Sequence, residues 1–157
     1  MKKIFIIIFN IMSQTKKVFI ESLKQKNLKW SQQREFILDL FLTTQRHVST
    51  EELYQIAVKK FPQIGYSTVH RTLKLLSECG LASERHFGDR YTRFEKKQKD
   101  QHHDHLICTN CGKIIEFESN KIENLQESIA KQKGFKVTHH RLELYGLCSH
   151  CKKTTKV

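Results

Sequence analysis

Apolar residues recur at helical spacing through the first half of this chain and at strand spacing in short runs afterwards. Residues 15–27 put Val18, Phe19 and Leu23 on one face. Residues 31–43 open at Ser31 and align Phe36, Ile37, Leu40 and Phe41. The stretch STEELYQIAVKKF begins with a capping box. Ser49 caps the helix start, and Glu52, three residues on, reaches back to it. STVHRTLKLLSECG predicts another helix, with Ser67 as its cap and Gly80 at the left-handed position that closes it. The runs LASERHF and RYTRFE then flank Gly88-Asp89, which predicts a hairpin carrying Arg85, His86, Arg90 and Arg93. Helices followed by a basic hairpin are the order of a winged helix-turn-helix.

The segment EKKQKDQ has no apolar side chain and reads as a hinge over 95–101. Beyond it the pattern predicts strands at 104–108 and 113–118 and a helix at 120–133. Strands near 135–138 and 140–147 follow. The predicted class is therefore α+β. A winged-helix domain at 13–94 precedes the hinge and a small α/β domain at 102–157. Ahead of both, MKKIFIIIFNIM resembles a short signal peptide, with two lysines before an apolar run. The run is too short to span a membrane as a helix, and no small-x-small cleavage site follows. Residues 1–12 are read as an N-terminal extension, with Met12 as the expected start of a cytoplasmic protein.

Charge sharpens the picture. Lys plus Arg number 28 against 16 acidic residues, a formal net charge of +12, and the excess leans toward the winged-helix part. This favours a polyanionic partner. The helix in IGYSTVHRTLKLL is the candidate recognition helix. Its early residues Ser67, Thr68, His70 and Arg71 stand where a groove-entering helix meets bases. Arginine can grip guanine edges, and a threonine methyl can touch the thymine methyl.

Four of the five cysteines form two Cys-x-x-Cys pairs, Cys108/Cys111 and Cys148/Cys151, and Cys79 is left over. An odd count argues against a fully disulfide-paired secreted protein. Four thiolates can surround a structural Zn2+ at about 2.3 Å, clasping the two ends of the second domain. Thioredoxin-type chemistry would need one such pair at a helix start, whereas both pairs are expected on hairpin knuckles. Cys79 reads as a small buried residue near a helix end.

The run HHDH, His102 to His105, adds a second kind of ligand. On a strand, period two places His103 and His105 on one face and His102 and Asp104 on the other. Nitrogen and oxygen donors suit a more exchangeable divalent ion than thiolates do. Glu116, Glu123, His139 and His140 are candidates to complete the two sets, and spacing does not choose among them. No H-E-x-x-H or deaminase-type zinc motif is present, so a zinc metalloenzyme is the weaker reading. A zinc-ribbon module binding protein is another.

Several motifs in order carry a resemblance. HHDHLICTNCGKIIEF, SQQRE, HVSTEELY, IGYSTVHRTL and LYGLCSHC resemble the signatures of the ferric uptake regulator (Fur) superfamily, over about residues 28–151. The resemblance implies a homodimeric, metal-dependent repressor of double-stranded DNA. Its second domain would serve dimerisation, and its operator would be an AT-rich inverted repeat. No membrane or small organic substrate is implied.

The resemblance also assigns ligands. Cys108, Cys111, Cys148 and Cys151 match the structural zinc site. His47, Glu95, His103, His105 and Glu116 match the regulatory site, expected to take Fe2+ or Mn2+, with Zn2+ as an alternative. His102, Asp104, Glu123 and His140 match an additional site. Peroxide sensors of the superfamily typically carry Asp where this chain has Glu116, so the iron-responsive branch is favoured over peroxide- and zinc-sensing ones. Three departures stand out: His70 replaces the family tyrosine, Gln33 replaces a proline, and a longer 95–103 segment makes Asp100 an alternative to Glu95.

Overall fold

The computed structural model describes residues 2–44, 47–88, 91–97 and 103–154, with side chains from residue 14 to residue 153 within those ranges. His102, Arg90, Asp100 and most of the expected hinge lie outside the described residues. The chain divides into two compact units, Met1–Gln98 and Lys99–Val157.

The first unit opens with α1 (Lys2–Gln25), followed by α2 (Gln32–Thr43). The helix expected over 15–27 is thus the second half of a longer one, and helical backbone continues through Met12. Ser31 caps α2, accepting from the Arg34 backbone N–H at 3.3 Å. The short β1 (Val48–Ser49) leads into α3 (Thr50–Lys60). There the capping box forms: the Glu52 N–H donates to Ser49 Oγ at 3.1 Å, and the Ser49 N–H donates to Glu52 Oε2 at 2.9 Å.

The next helix, α4 (Tyr66–Glu78), corrects an expectation. Its N-cap is Gly65, in extended backbone, and no side chain caps it. Ser67 instead lies within the first turn and is exposed. The cap is set by where the backbone leaves extended geometry, two residues earlier than a search for hydroxyl caps suggests. At the other end Gly80 does adopt the left-handed conformation, at φ 73°. Its position lets the Leu81 N–H return to the Leu76 carbonyl at 2.9 Å.

The hairpin β2 (Ala82–His86) and β3 (Thr92–Lys96) pairs antiparallel, and β1 adds to the far edge of β3. Phe19, Ile37, Phe41, Leu53, Leu73, Leu76 and Phe94 are fully or almost fully buried between helices and sheet. This is a winged helix.

The second unit has β4 (Asp104–Cys108) at the centre of a three-stranded sheet. On one side β5 (Ile114–Phe117) runs antiparallel, and on the other β6 (Glu143–Gly146) runs parallel. The crossover between them is α5 (Asn120–Gln132), and α6 (Ser149–Thr154) closes the described chain. The strand expected near 135–138 does not form. Both edges of β4 are taken by β5 and β6, so this exposed stretch finds no ladder partner there. No helix among the described residues is long and apolar enough to cross a membrane.

Candidate metal centres and nucleic-acid interface

The four sulfurs of the paired cysteines converge. Cys108 ends β4, and Cys111 sits in the turn that Gly112, at φ 69°, completes before β5. Cys148 immediately precedes α6, and Cys151 lies in its first turn. The second pair is therefore at a helix start, not on a hairpin knuckle. The helix forms because residues 149–154 contain no breaker and end on Lys152 and Lys153, which suit a helix C-terminus.

All four sulfurs lie within 4.8 Å of one another, and those of Cys111 and Cys148 are 3.8 Å apart. Tetrahedral sulfur about 2.3 Å from a zinc gives an edge of about 3.8 Å, so the set fits that ion. None of the cysteines is in a disulfide. Backbone N–H groups of Cys111 and Cys148 hold the Cys108 thiol down at about 6. The Cys151 backbone N–H lowers Cys148 against the effect of burial. The Asn110 amide favours a Cys151 thiolate, but burial and the three other sulfurs push it up to about 12. Thiolates crowded this closely call for a cation, and a divalent one would offset their charge.

The HHDH strand divides as period two requires. On one face His103 and His105 have ring centroids 4.9 Å apart, and Glu116 stands opposite His105 on β5. The ligand atoms of these three residues lie within 4.8 Å of one another. On the other face Asp104 meets Glu123 from the first turn of α5 and His140 from the loop before β6. His140 Nε2 is 3.3 Å from Glu123 Oε1 and 3.8 Å from Asp104 Oδ1. The structure thus selects His140 for this group, while His139 turns to Thr138 Oγ1 at 3.1 Å.

In the first unit His47 precedes β1, and Glu95 lies on β3. His47 Nε2 pairs with Glu95 Oε2, and Arg85 Nε donates to Glu95 Oε1 at 2.6 Å. Burial pushes Glu95 up, but the hydrogen bonds from His47 and Arg85 outweigh it and bring the carboxyl down to about 2. Glu95 is accordingly a carboxylate, the form a metal needs.

The outer face of α4 carries Tyr66, Ser67, His70 and Arg71, all exposed, with Thr68 half-buried. The opposite face buries Val69, Thr72, Leu73, Leu75 and Leu76. Arg71 Nε donates to the Ser67 carbonyl at 3.1 Å, which lays the guanidinium along the helix. The hairpin is less basic outward than its sequence implies. Arg93 is buried and donates to Glu52 Oε2 at 3.1 Å, and Arg85 is committed to Glu95. Among the described wing residues named above, His86 is the exposed one.

A family model described as "Ferric uptake regulator family" matches residues 25–145. The chain belongs to this family. The ferric uptake regulation protein of Campylobacter jejuni is 43% identical over 135 residues, covering 85% of each chain. The peroxide operon regulator of Bacillus subtilis is 37% identical over 134 residues, 85% of this chain and 91% of that one. The solved Helicobacter pylori ferric uptake regulator Fur is described as having three functional metal binding sites. It superposes with a TM-score of 0.79 at 31% identity, covering 90% of this chain and 93% of that one.

Ferric uptake regulator proteins are metal-responsive transcription regulators that bind DNA and act as dimers, not enzymes. The family match stops before Cys148 and Cys151, so the sulfur cluster rests on its own geometry. Sequence reasoning missed the inward commitment of Arg85 and Arg93. Glu52 is distant from Arg93 in the chain and gave no local signal, whereas Glu95 lies across the predicted hairpin from Arg85, which could have marked that pair.

Proposed function

We propose that this ferric uptake regulator protein is an iron-responsive repressor that binds an AT-rich inverted repeat as a homodimer when Fe2+ or Mn2+ is bound. The observation that carries this reading is the pair of incomplete donor sets. His47 and Glu95 in the first unit offer one nitrogen and one carboxylate. His103, His105 and Glu116 in the second offer two nitrogens and one carboxylate. Each set mixes nitrogen and oxygen donors of the kind Fe2+ and Mn2+ accept, and neither alone fills the coordination sphere of a divalent ion.

When bound, the metal would favour the DNA-binding state by differential affinity. This chain's residues do the rest. Exposed Ser67, His70 and Arg71 on α4, with Thr68 beside them, meet the groove, and two copies read the two half-sites. Cys108, Cys111, Cys148 and Cys151 hold Zn2+ permanently. Asp104, Glu123 and His140, with His102, form an additional site. Glu116 in the regulatory set supports the iron-responsive branch, and the high identity to a ferric uptake regulation protein agrees with it. The identity to a peroxide operon regulator supports a second reading, in which oxidation of the bound site by peroxide releases DNA.

Fluorescence anisotropy on a labelled inverted repeat, at fixed salt and without oxygen, tests both. Tight binding that appears with Fe2+ or Mn2+, reverses with chelator and is lost in His103→Ala with Glu116→Ala is the expected result. Binding that persists in the double variant overturns the mechanism. Irreversible loss of binding after brief peroxide exposure of the Fe2+ form, but not the Mn2+ form, would select the second reading.

A further inference from the structure

The outer face of α4 begins on an aromatic ring. Tyr66 is the first residue of the helix and stands 45% exposed. His70 follows four residues later, so the two side chains lie on the same side of the helix, about 6 Å apart along its axis. Ser67 and Arg71 form the adjoining exposed row, while Val69 and Leu73 turn into the core. Tyr66 carries the largest apolar area on this face.

The ring is braced from behind. Tyr54 of α3 meets it edge to face, with centroids 5.6 Å apart and planes at 76°. Tyr54 is itself half-buried and packs against the core of the first unit. On the other side Gly65, the N-cap, places no side chain in front of the ring. Tyr66 is thus an exposed ring with few torsions to freeze, held against a fixed neighbour, at the end of the helix that a major groove meets first. It brings no cation for the phosphates. What a ring offers a groove is apolar contact, and the apolar group on the major-groove edge of a base pair is the thymine methyl.

We propose that Tyr66 is a specificity-determining residue of the DNA interface, its ring packing on the C5-methyl of a thymine in each half-site. This rests on the reading of α4 as the recognition helix.

The test uses the full-length, zinc-loaded protein with Mn2+. Its probe is a labelled AT-rich inverted repeat that the protein has selected from a random duplex pool, and anisotropy is read at fixed salt. Further duplexes replace thymine by uracil, which lacks only the C5-methyl, at one symmetric pair of positions at a time. We expect Tyr66→Ala to weaken binding to the thymine duplex about tenfold and to leave binding to a scrambled duplex unchanged. Tyr66→Phe should keep the wild-type affinity. One uracil pair should weaken the wild type and have no effect on Tyr66→Ala, because both changes remove the same contact.

Wild-type affinity in Tyr66→Ala would overturn the proposal. So would an equal loss in Tyr66→Phe, which assigns the contact to the hydroxyl. A loss in Tyr66→Ala that couples to no uracil position would overturn it too, since it indicates a merely structural role. Arg71→Ala separates the two levels. If it and Tyr66→Ala both leave binding intact, or if no duplex is selected at all, the reading of α4 fails and this inference with it. If Arg71→Ala weakens binding while Tyr66→Ala does not, only the role of Tyr66 fails.

Discussion

The two units are held together by different physics. In the first, the hydrophobic core runs from Phe19 to Phe94 and joins every helix to the sheet. In the second, the apolar side chains buried among the described residues reduce to Ile107 and the cysteines Cys108 and Cys151. The helix α5 buries no residue, and Leu125, Ile129, Phe135, Leu144 and Tyr145 are all at least half exposed or close to it. A winged helix of this size can meet its folding entropy through burial alone. A sheet and helix of some fifty residues with so little core cannot, and such units rely on a metal or on association. Ferric uptake regulator proteins act as dimers, and the second unit is where apolar surface remains to be covered.

The largest expected effect breaks the comparison at its weakest link. Removing the proposed zinc with a strong chelator, or replacing Cys111 by Ser, should abolish amide protection in 104–117 and 120–132 while leaving 37–41 and 69–76 protected. Hydrogen exchange read by mass spectrometry checks this. Equal loss of protection in both units would show that the first depends on the clasp as well.

A smaller effect comes from truncating one apolar residue in each unit. Phe94→Ala empties a fully buried site and should cost about 3–5 kcal/mol in denaturant unfolding of the first unit. Leu125→Ala, at a position 60% exposed, should cost under about 0.5 kcal/mol in dilute protein. A cost for Leu125→Ala that grows with protein concentration would place this side chain in the dimer.

The smallest concerns the tie between α4 and the hairpin. Lys74 Nζ lies 2.6 Å from Glu84 Oε2. This hydrogen bond, opposed by burial, lowers the Glu84 carboxyl below its ordinary 4.5. Its contribution is therefore complete above that value and disappears as pH falls through the lower folded one. Glu84→Gln should destabilise the first unit by less than about 1 kcal/mol at pH 7. The difference should vanish as pH falls through the lowered folded value, as measured by urea unfolding across pH.

Local patterns carried a good deal of this. The capping box at Ser49 and Glu52, the left-handed Gly80 and the hairpin between 82 and 96 were readable because each depends on a few consecutive residues. The cap at Gly65 was not, since glycine offers no side chain to mark it. Nor was the failed strand near 135–138, because pairing depends on which edge is already taken.

The candidate sites divide the same way. Strand periodicity by itself separates His103 and His105 from Asp104, since alternate residues of a strand face opposite ways wherever the strand lies. The Cys-x-x-Cys spacing likewise determines that each pair can share one ion. The family resemblance already named Glu123 and His140 beside Asp104, which spacing did not choose; only the tertiary structure turned Arg85 and Arg93 inward and set Glu143 beside His105. Those choices join residues far apart in the chain, and they are made by packing and strand pairing, which no local pattern encodes.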